Sequence, residues 1–269
     1  MKFGLKGLLT IAAVASALVL SGCGEKQADT SKIKVGVMAG AEAQVAEVAA
    51  KVAKEKYGLD VELVTFTDYV TPNAALDDGS IDINAFQHKP YLDQQVTDRG
   101  YKLTIAGNTF VYPIAGYSKQ VKSVDEIQDG ARIAVPNDPT NLGRSLLLLE
   151  QQGLLKLRDG VGLLATVRDI AENPKNITIV ELDAAQLPRS LDDVALSIIN
   201  TTYASSIDLT PQKDGVFVED KESPYVNLIV AREDNVKAEN VQNFVKSYQT
   251  DEVYTAASDI FKGGVVKGW

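Results

Sequence analysis

The chain has 269 residues, of which 27 are basic and 36 are acidic, and it contains one cysteine and one histidine. The acidic balance argues against a nucleic-acid-binding protein, because such proteins present clustered positive charge. A single cysteine excludes a disulfide framework, and a single histidine excludes metal motifs that need two, such as H-E-x-x-H. No cofactor is therefore predicted.

Residues 1–22 have the three regions of a bacterial lipoprotein signal peptide. Lys2 and Lys6 precede the apolar run 8–20, which is too short to span a membrane, and Cys23 follows Ser21 and Gly22. The cysteine at the cleavage point is then expected to carry acyl chains such as palmitate. The alternative is a free, buried cysteine behind an uncleaved anchor. Processing would leave 247 residues with a net charge of −11, beginning with a polar lipidated tether over 23–31.

After the tether, the sequence predicts alternating strands and helices. Apolar strands are predicted over 34–37, 61–66, 81–86 and 102–106, and helices over 41–57, 71–78 and 89–99. Glycine or proline stands where these helices end or begin. This βαβαβ order is typical of a parallel sheet flanked by helices.

Two apolar runs interrupt the alternation and are predicted to cross between lobes. The first is Phe110 to Ser118, in which Pro113 suits a central strand poorly, and the second is Tyr225 to Arg232. Alternation resumes between them, and one amphipathic helix is predicted over 238–261. The prediction is an α/β fold of two parallel-type sheets flanked by helices and joined by two crossings, with lobe 1 formed by 32–112 and 229–269 and lobe 2 by 113–228, including the hinge crossings.

The stretch 135–149, VPNDPTNLGRSLLLL, carries the first candidate binding residue, Arg144. With Thr140 as the predicted N-cap, Arg144 falls at the end of the first helical turn, where the helix dipole disfavours positive charge. A helix N-terminus beside a guanidinium is a good receptor for a carboxylate or phosphate. The alternative is that Arg144 pairs with an acidic residue on the surface.

Aromatic and amide side chains stand near other predicted strand ends. Guanidinium and helix N–H groups suit a carboxylate, amide oxygens suit an ammonium group, and aromatic rings suit an apolar side chain, so together they predict a site for a zwitterion. The alternatives are that the rings fill the core and that the amides are turn or cap residues. The candidates are Tyr69, Phe86, His88, Tyr91, Asn141, Arg144, Asn200 and Asn227.

At these residues the chain resembles the methionine-binding lipoproteins of the D-/L-methionine ABC importer. The resemblance rests on long blocks, among them NAFQHKPYLDQQ, GNTFVYPIAGYSK, AVPNDPTNLGRSLLLL and ESPYVNLIVARED. It implies a type II-like, two-lobe periplasmic-binding-protein fold with methionine clasped between the lobes. It also implies three groups of contacts: Arg144 and Asn141 to the carboxylate, Asn200 and Asn227 to the amino group, and Tyr69, Phe86, His88 and Tyr91 around the thioether.

The leading hypothesis is a lipid-anchored protein of the cell membrane, facing the periplasm, and not an enzyme. It would capture L-methionine, with D-methionine as a second candidate, and deliver it to the permease and ATPase subunits of an ABC importer. Two alternatives stay open: a periplasmic lipoprotein hydrolase that uses His88, and a structural lipoprotein without a ligand. If Arg144 grips the ligand, Arg144→Ala should weaken binding by about 2–5 kcal/mol and change unliganded stability little.

Overall fold

The structure, a computed structural model, describes residues 30–220 and 223–269. The predicted signal peptide, Cys23 and most of the predicted tether lie outside these residues. Within the described part, no helix is both long enough and apolar enough to cross a membrane.

The described chain alternates strands and helices through most of its length. The strands are β1 (Lys32–Met38), β2 (Asp60–Phe66), β3 (Ile83–His88), β4 (Leu103–Val111), β5 (Ala115–Tyr117), β6 (Arg132–Pro136), β7 (Lys156–Leu157), β8 (Ile170–Glu172), β9 (Thr178–Leu182), β10 (Leu196–Ile199), β11 (Phe217–Val218), β12 (Val226–Arg232) and β13 (Val266–Lys267). The helices are α1 (Ala41–Tyr57), α2 (Thr71–Asp77), α3 (Lys89–Arg99), α4 (Pro139–Gln151), α5 (Leu187–Ser190), α6 (Thr201–Ser205), α7 (Pro211–Asp214), α8 (Glu239–Tyr248) and α9 (Asp251–Ile260).

The first sheet has the strand order β13-β4-β12-β3-β1-β2 and carries helices on both faces. Alternate residues of β12 pack against the helices on opposite faces of the sheet, because successive side chains of a strand point to opposite faces. Ile229 packs in a cluster with α1, α8 and α9, whereas Val230 packs with residues of α2 and α3. Gly58 ends α1 in the left-handed conformation, at φ 66°, and its N–H bonds to the Lys54 carbonyl.

The second sheet has the order β11-β5-β10-β6-β9 and is also covered on both faces. Residues of β6 show the same alternation, since Ile133 packs with the apolar side of α4 and Ala134 packs with residues of α5 and α6. The expected arrangement of two helix-flanked sheets in a two-lobe α/β fold is thereby confirmed. Both sheets are mixed, however, and not wholly parallel: β12 runs antiparallel to β3 and β4, and β5 runs antiparallel to β10 and β11.

The predicted second crossing, 225–232, is instead mostly strand β12 in the middle of the first sheet. Its long apolar run is the signature of a strand buried on both faces. The strand enters at the edge where β3 ends, with Asn227 opposite His88, and therefore runs antiparallel to β3. The described chain passes between the sheets over 112–114 and again after β11, before β12. The lobe boundaries, 32–112 with 229–269 and 113–228, stay a prediction.

The C-terminal helix predicted over 238–261 is in fact two helices. Thr250 is the N-cap of α9 and accepts a hydrogen bond from the Val253 N–H, which ends α8 and starts a new helix. The apolar stripe predicted there is nonetheless buried, at Val241, Phe244, Val245, Tyr248 and Val253.

Candidate ligand-binding site

A cavity lies between the two sheets, where β3, β6 and β10 end. Its empty volume is about 360 Å³. The carboxyl ends of parallel strands are the usual place for a ligand in α/β folds. All eight candidate residues from the sequence line it, together with Gln87, Tyr112, Thr201 and Thr202, which the sequence did not nominate.

One wall of the cavity is aromatic and is built by the segments that follow β2 and β3. The ring centroids of Tyr69 and Phe86 are 5.9 Å apart, and those of Phe86 and Tyr91 are 6.0 Å apart with the rings nearly perpendicular. The Tyr91 hydroxyl donates a 2.8 Å hydrogen bond to the Tyr69 carbonyl, which fixes α3 against the segment that follows β2. Tyr203 of α6 approaches Tyr69 from the other lobe at 5.0 Å. The wall therefore presents ring edges and faces to an apolar group.

His88 is the last residue of β3 and the N-cap of α3. Its Nδ1 accepts a 3.2 Å hydrogen bond from the Tyr91 N–H, so its proton is assigned to Nε2, which lies 3.2 Å from Asn141 Oδ1. Burial, and secondarily the charge of Arg144, lowers the pKa of His88 to about 3, so the ring is neutral at physiological pH. Both ring nitrogens are thus engaged, which leaves the hydrolase alternative without a free base at His88.

The N-cap of α4 is Asp138 and not Thr140 as predicted. Pro139 occupies the first helical position, which proline favours, and the Asp138 carboxylate accepts a 2.9 Å hydrogen bond from the Asn141 N–H. Arg144 consequently lies in the second turn. The expected anion site at the helix N-terminus is already filled by this internal carboxylate.

Arg144 forms a bidentate ion pair with Glu219. Its Nε is 2.8 Å from Glu219 Oε1, and its Nη2 donates to Glu219 Oε2 and, at 3.1 Å, to the Tyr112 carbonyl. The guanidinium carbon also lies 4.3 Å from the centroid of the Tyr225 ring. The two charged side chains are only 3% and 11% exposed. The sequence alternative, pairing with an acidic residue, therefore holds, but the pair is buried in the cavity wall and not at the surface.

Three asparagines line the cavity, and Asn141 connects the two lobes through its bond with His88. Asn141 Oδ1 accepts from His88 and, at 2.9 Å, from Asn200 Nδ2. Asn227 donates to the Phe86 carbonyl at 3.0 Å. The Oδ1 of Asn200 is buried and has no hydrogen-bond partner within the described chain. A buried carbonyl oxygen ordinarily has a donor, so Asn200 Oδ1 is an acceptor available to a ligand.

Sequence reasoning missed Glu219 and several of the residues that line the cavity. Glu219 lies 75 positions from Arg144 and in a short polar loop, so no spacing pattern links the two. Gln87 lines the cavity and belongs to a buried amide cluster with Asn73 and Asn84, in which Asn73 Nδ2 donates to Gln87 Oε1 at 2.8 Å. Thr201 and Thr202 follow the candidate Asn200 directly in the sequence, and this adjacency is the signal from which their place in the cavity wall could be predicted.

Comparison with known proteins gives consistent matches over the described fold. The model of the NlpA lipoprotein family matches residues 33–269. The "Probable D-methionine-binding lipoprotein MetQ" of Vibrio cholerae is 84% identical over the full length of both chains. The crystal structure of "the Methionine Binding Protein, MetQ" is 74% identical with a TM-score of 0.89, covering 90% of this chain and 99% of that one. A nutrient-binding protein from Burkholderia cenocepacia, solved bound to methionine, is 52% identical with a TM-score of 0.86 and covers 88% of this chain and 100% of its own.

Proposed function

Because the chain belongs to the NlpA lipoprotein family, we propose that it is a lipid-anchored substrate-binding protein that captures methionine between its lobes for an ABC importer. It is a binding protein and not an enzyme, as are the relatives it matches over their whole length. The observation that carries the proposal is the cavity itself, where an aromatic wall faces Arg144 and the unpartnered Oδ1 of Asn200.

The charge balance of the cavity suits a zwitterion. Glu219 already compensates Arg144, and His88 is neutral, so the wall carries no large net charge. A ligand with one carboxylate and one ammonium group can enter without adding an uncompensated charge to a buried site, which would be costly.

The ligand groups are assigned by the chemistry of the lining. The Nη1 of Arg144, for which the described structure records no hydrogen bond, takes the carboxylate with Asn141 nearby. The Oδ1 of Asn200 accepts from the ammonium group, with Asn227 as the second amide. Tyr69, Phe86, His88 and Tyr91 surround the thioether, and a polarizable sulfur near an aromatic ring gains about 0.3–1.5 kcal/mol.

The partners and location follow from the same assignment. The proposal covers L-methionine and D-methionine as ligands, and the permease and ATPase subunits of the importer as partners. Acyl chains on Cys23 hold the protein at the cell membrane, facing the periplasm. The polar segment from Gly24 to Ser31 then tethers the fold to the lipid.

Calorimetry on the detergent-solubilised protein, with L-methionine, D-methionine, leucine, glutamate and glutamine, tests the proposal. Methionine should bind and the acidic and amide side chains should not, because the aromatic wall offers them few hydrogen bonds. Asn200→Ala should lose about 1.5–3 kcal/mol of methionine binding, the value of a hydrogen bond to a charged group. Asn240→Ala, at an amide of the first lobe that donates to the Lys32 carbonyl and accepts from the Val241 N–H, is the matched control and should bind as the wild type does.

The same experiment discriminates the alternatives. An absence of heat with every amino acid would favour the structural lipoprotein. Turnover of an ester or amide that disappears in His88→Ala would favour the hydrolase.

A further inference from the structure

Glu42 is a buried carboxylate at the start of α1, in the first lobe. It is 3% exposed. The hydrogen bond recorded for its side chain in the described structure comes from the Thr202 hydroxyl, which donates to Glu42 Oε1. Thr202 belongs to α6 in the second lobe and lines the cavity directly after Asn200 and Thr201. The contact therefore joins the lobes at the edge of the cavity.

The surroundings of Glu42 supply no positive charge. The ionisable groups that face it are tyrosines: Tyr69 after β2, Tyr112 after β4, Tyr203 on α6 and Tyr248 on α8. Within the described residues Glu42 has no ion pair, and on the same helix Lys51 instead pairs with Glu252 of α9. A buried carboxylate without a cation is costly in its ionised form, and protonation removes most of that cost.

We propose that Glu42 and Thr202 form a latch between the lobes, which couples closure of the cleft, and hence methionine affinity, to uptake of a proton by Glu42. This inference rests on the proposed function, since it takes methionine as the ligand that closes the cleft. The proton comes from solvent and adds to the Glu42 carboxylate, and no other bond forms or breaks.

Burial explains the direction of the coupling. Burial raises the pKa of Glu42 to about 7, against an ordinary value of 4.5, and the hydrogen bond from Thr202 opposes the shift in part. Separation of the lobes removes Thr202 and admits water, which returns the pKa of Glu42 towards its ordinary value. The closed form then binds more protons than the open form between about pH 4.5 and pH 7, so closure weakens as the pH rises through that window.

The titration of His88 has the opposite effect on closure, so its contribution to the pH dependence has to be separated from that of Glu42. Its pKa is low in the closed cavity, so closure releases a proton from His88 wherever the open form is protonated, below about pH 6.5. A comparison of the wild type with Glu42→Gln at each pH cancels this contribution, because both proteins keep His88. Glutamine also retains an oxygen that can accept from Thr202.

The test is calorimetric titration of methionine into the full-length protein in detergent at several pH values. From pH 5 to pH 8, the ratio of the wild-type Kd to the Glu42→Gln Kd should rise by about tenfold or more, since each unit of pKa shift is worth tenfold. At pH 7, enthalpies measured in buffers of different ionisation enthalpy should show proton uptake by the wild type in excess of Glu42→Gln. Glu47→Gln, the same change at an exposed position of α1, is the matched control and should follow the wild type.

The outcomes separate the two proposals. If the wild type binds methionine with the same pH dependence as Glu42→Gln, the latch is overturned and the proposed function stands. If neither the wild type nor any variant binds methionine at any pH, the proposed function is overturned, and the latch that rests on it is overturned too. Thr202→Val provides the second variant: loss of the hydrogen bond that lowers the pKa of Glu42 should move the proton uptake to higher pH, and an unchanged profile would contradict the contact.

Discussion

Arg144 and Glu219 form a buried ion pair that ties α4 to both segments connecting the lobes. Arg144 donates to the Tyr112 carbonyl on the first connection, and Glu219 begins the second. The Glu219 N–H also donates to the Ile114 carbonyl at 2.9 Å. One guanidinium thus fixes a wall of the cavity and the chain that passes beside it.

Arg144→Ala is expected to destabilise the unliganded protein by about 3–5 kcal/mol, because it leaves Glu219 buried without its cation. This differs from the sequence-based expectation of little change, because the sequence does not show that Glu219 is the partner of Arg144. Denaturant unfolding without ligand measures the effect. The double variant Arg144→Met/Glu219→Leu is the control: it should recover most of the loss, and a double variant as unstable as Arg144→Ala would show that the ion pair is not the cause.

Arg144→Lys should be more stable than Arg144→Ala, but it should bind methionine more weakly than the wild type does. A lysine ammonium can neutralise Glu219, but as a point charge it cannot form the bidentate pair and present a further N–H to a ligand at the same time. Calorimetry and unfolding on the same preparations check the two effects. Wild-type affinity in Arg144→Lys would remove Arg144 as the proposed carboxylate ligand.

His88 should make stability fall as the medium is acidified. Its pKa is about 3 in the fold and 6.5 ordinarily, so between those values the unfolded chain binds the extra proton. The free energy of unfolding should therefore decrease by up to about 1.4 kcal/mol per pH unit below pH 6.5. Unfolding of the wild type and His88→Gln between pH 5 and pH 7 gives the difference. The comparison is best made with Glu42→Gln in both proteins, because the Glu42 carboxyl contributes a slope of opposite sign there.

Asn73→Ala should destabilise the fold by about 1–3 kcal/mol for each buried amide that it leaves unpaired. Asn73 exchanges hydrogen bonds with Gln87, at 2.8 and 2.6 Å, and accepts from Asn84 at 2.9 Å. Methionine affinity should also fall, since Gln87 lines the cavity. Gln44→Ala, an exposed amide of the same lobe, is expected to change neither quantity.

Cys23→Ser should abolish acylation and leave the precursor unprocessed or mislocalised, while methionine binding by the folded part persists. Mass spectrometry of the N-terminal peptide and membrane fractionation check this. Normal acylation of Cys23→Ser would contradict the lipoprotein signal predicted over 1–22.

The sequence predicted the elements whose ends carry strong local signals. Helices α1 and α3 agree with prediction in both bounds, because Gly58 and Gly100 adopt the left-handed conformation that terminates them. The prediction of one helix over 238–261 is wrong because the apolar stripe continues past Thr250, whereas the helical backbone ends at Tyr248 and starts again at Asp251. Strand β12 was misassigned because a run buried on both faces has no alternation, and only its pairing with β3 and β4 identifies it.

For the candidate site, local position was informative and long-range pairing was not. Each of the eight nominated residues lies near the end of a predicted element, and all eight line one cavity because the two sheets turn these ends towards each other. The partners of Arg144 and Glu42 come from segments 75 and 160 positions away. Such contacts depend on how the lobes face each other, and no spacing in the sequence encodes that.

The two connecting segments meet at the bond from the Glu219 N–H to the Ile114 carbonyl. The first of them is also anchored to α6, since the Thr201 hydroxyl donates to the Pro113 carbonyl at 2.5 Å. We expect the lobes to rotate about this joined pair of segments when the cleft opens, as in hinge motion of domains. Each half of the cavity then travels as a rigid piece, so that the aromatic wall and the Asn141–Asn200 pair keep their internal geometry however wide the cleft becomes.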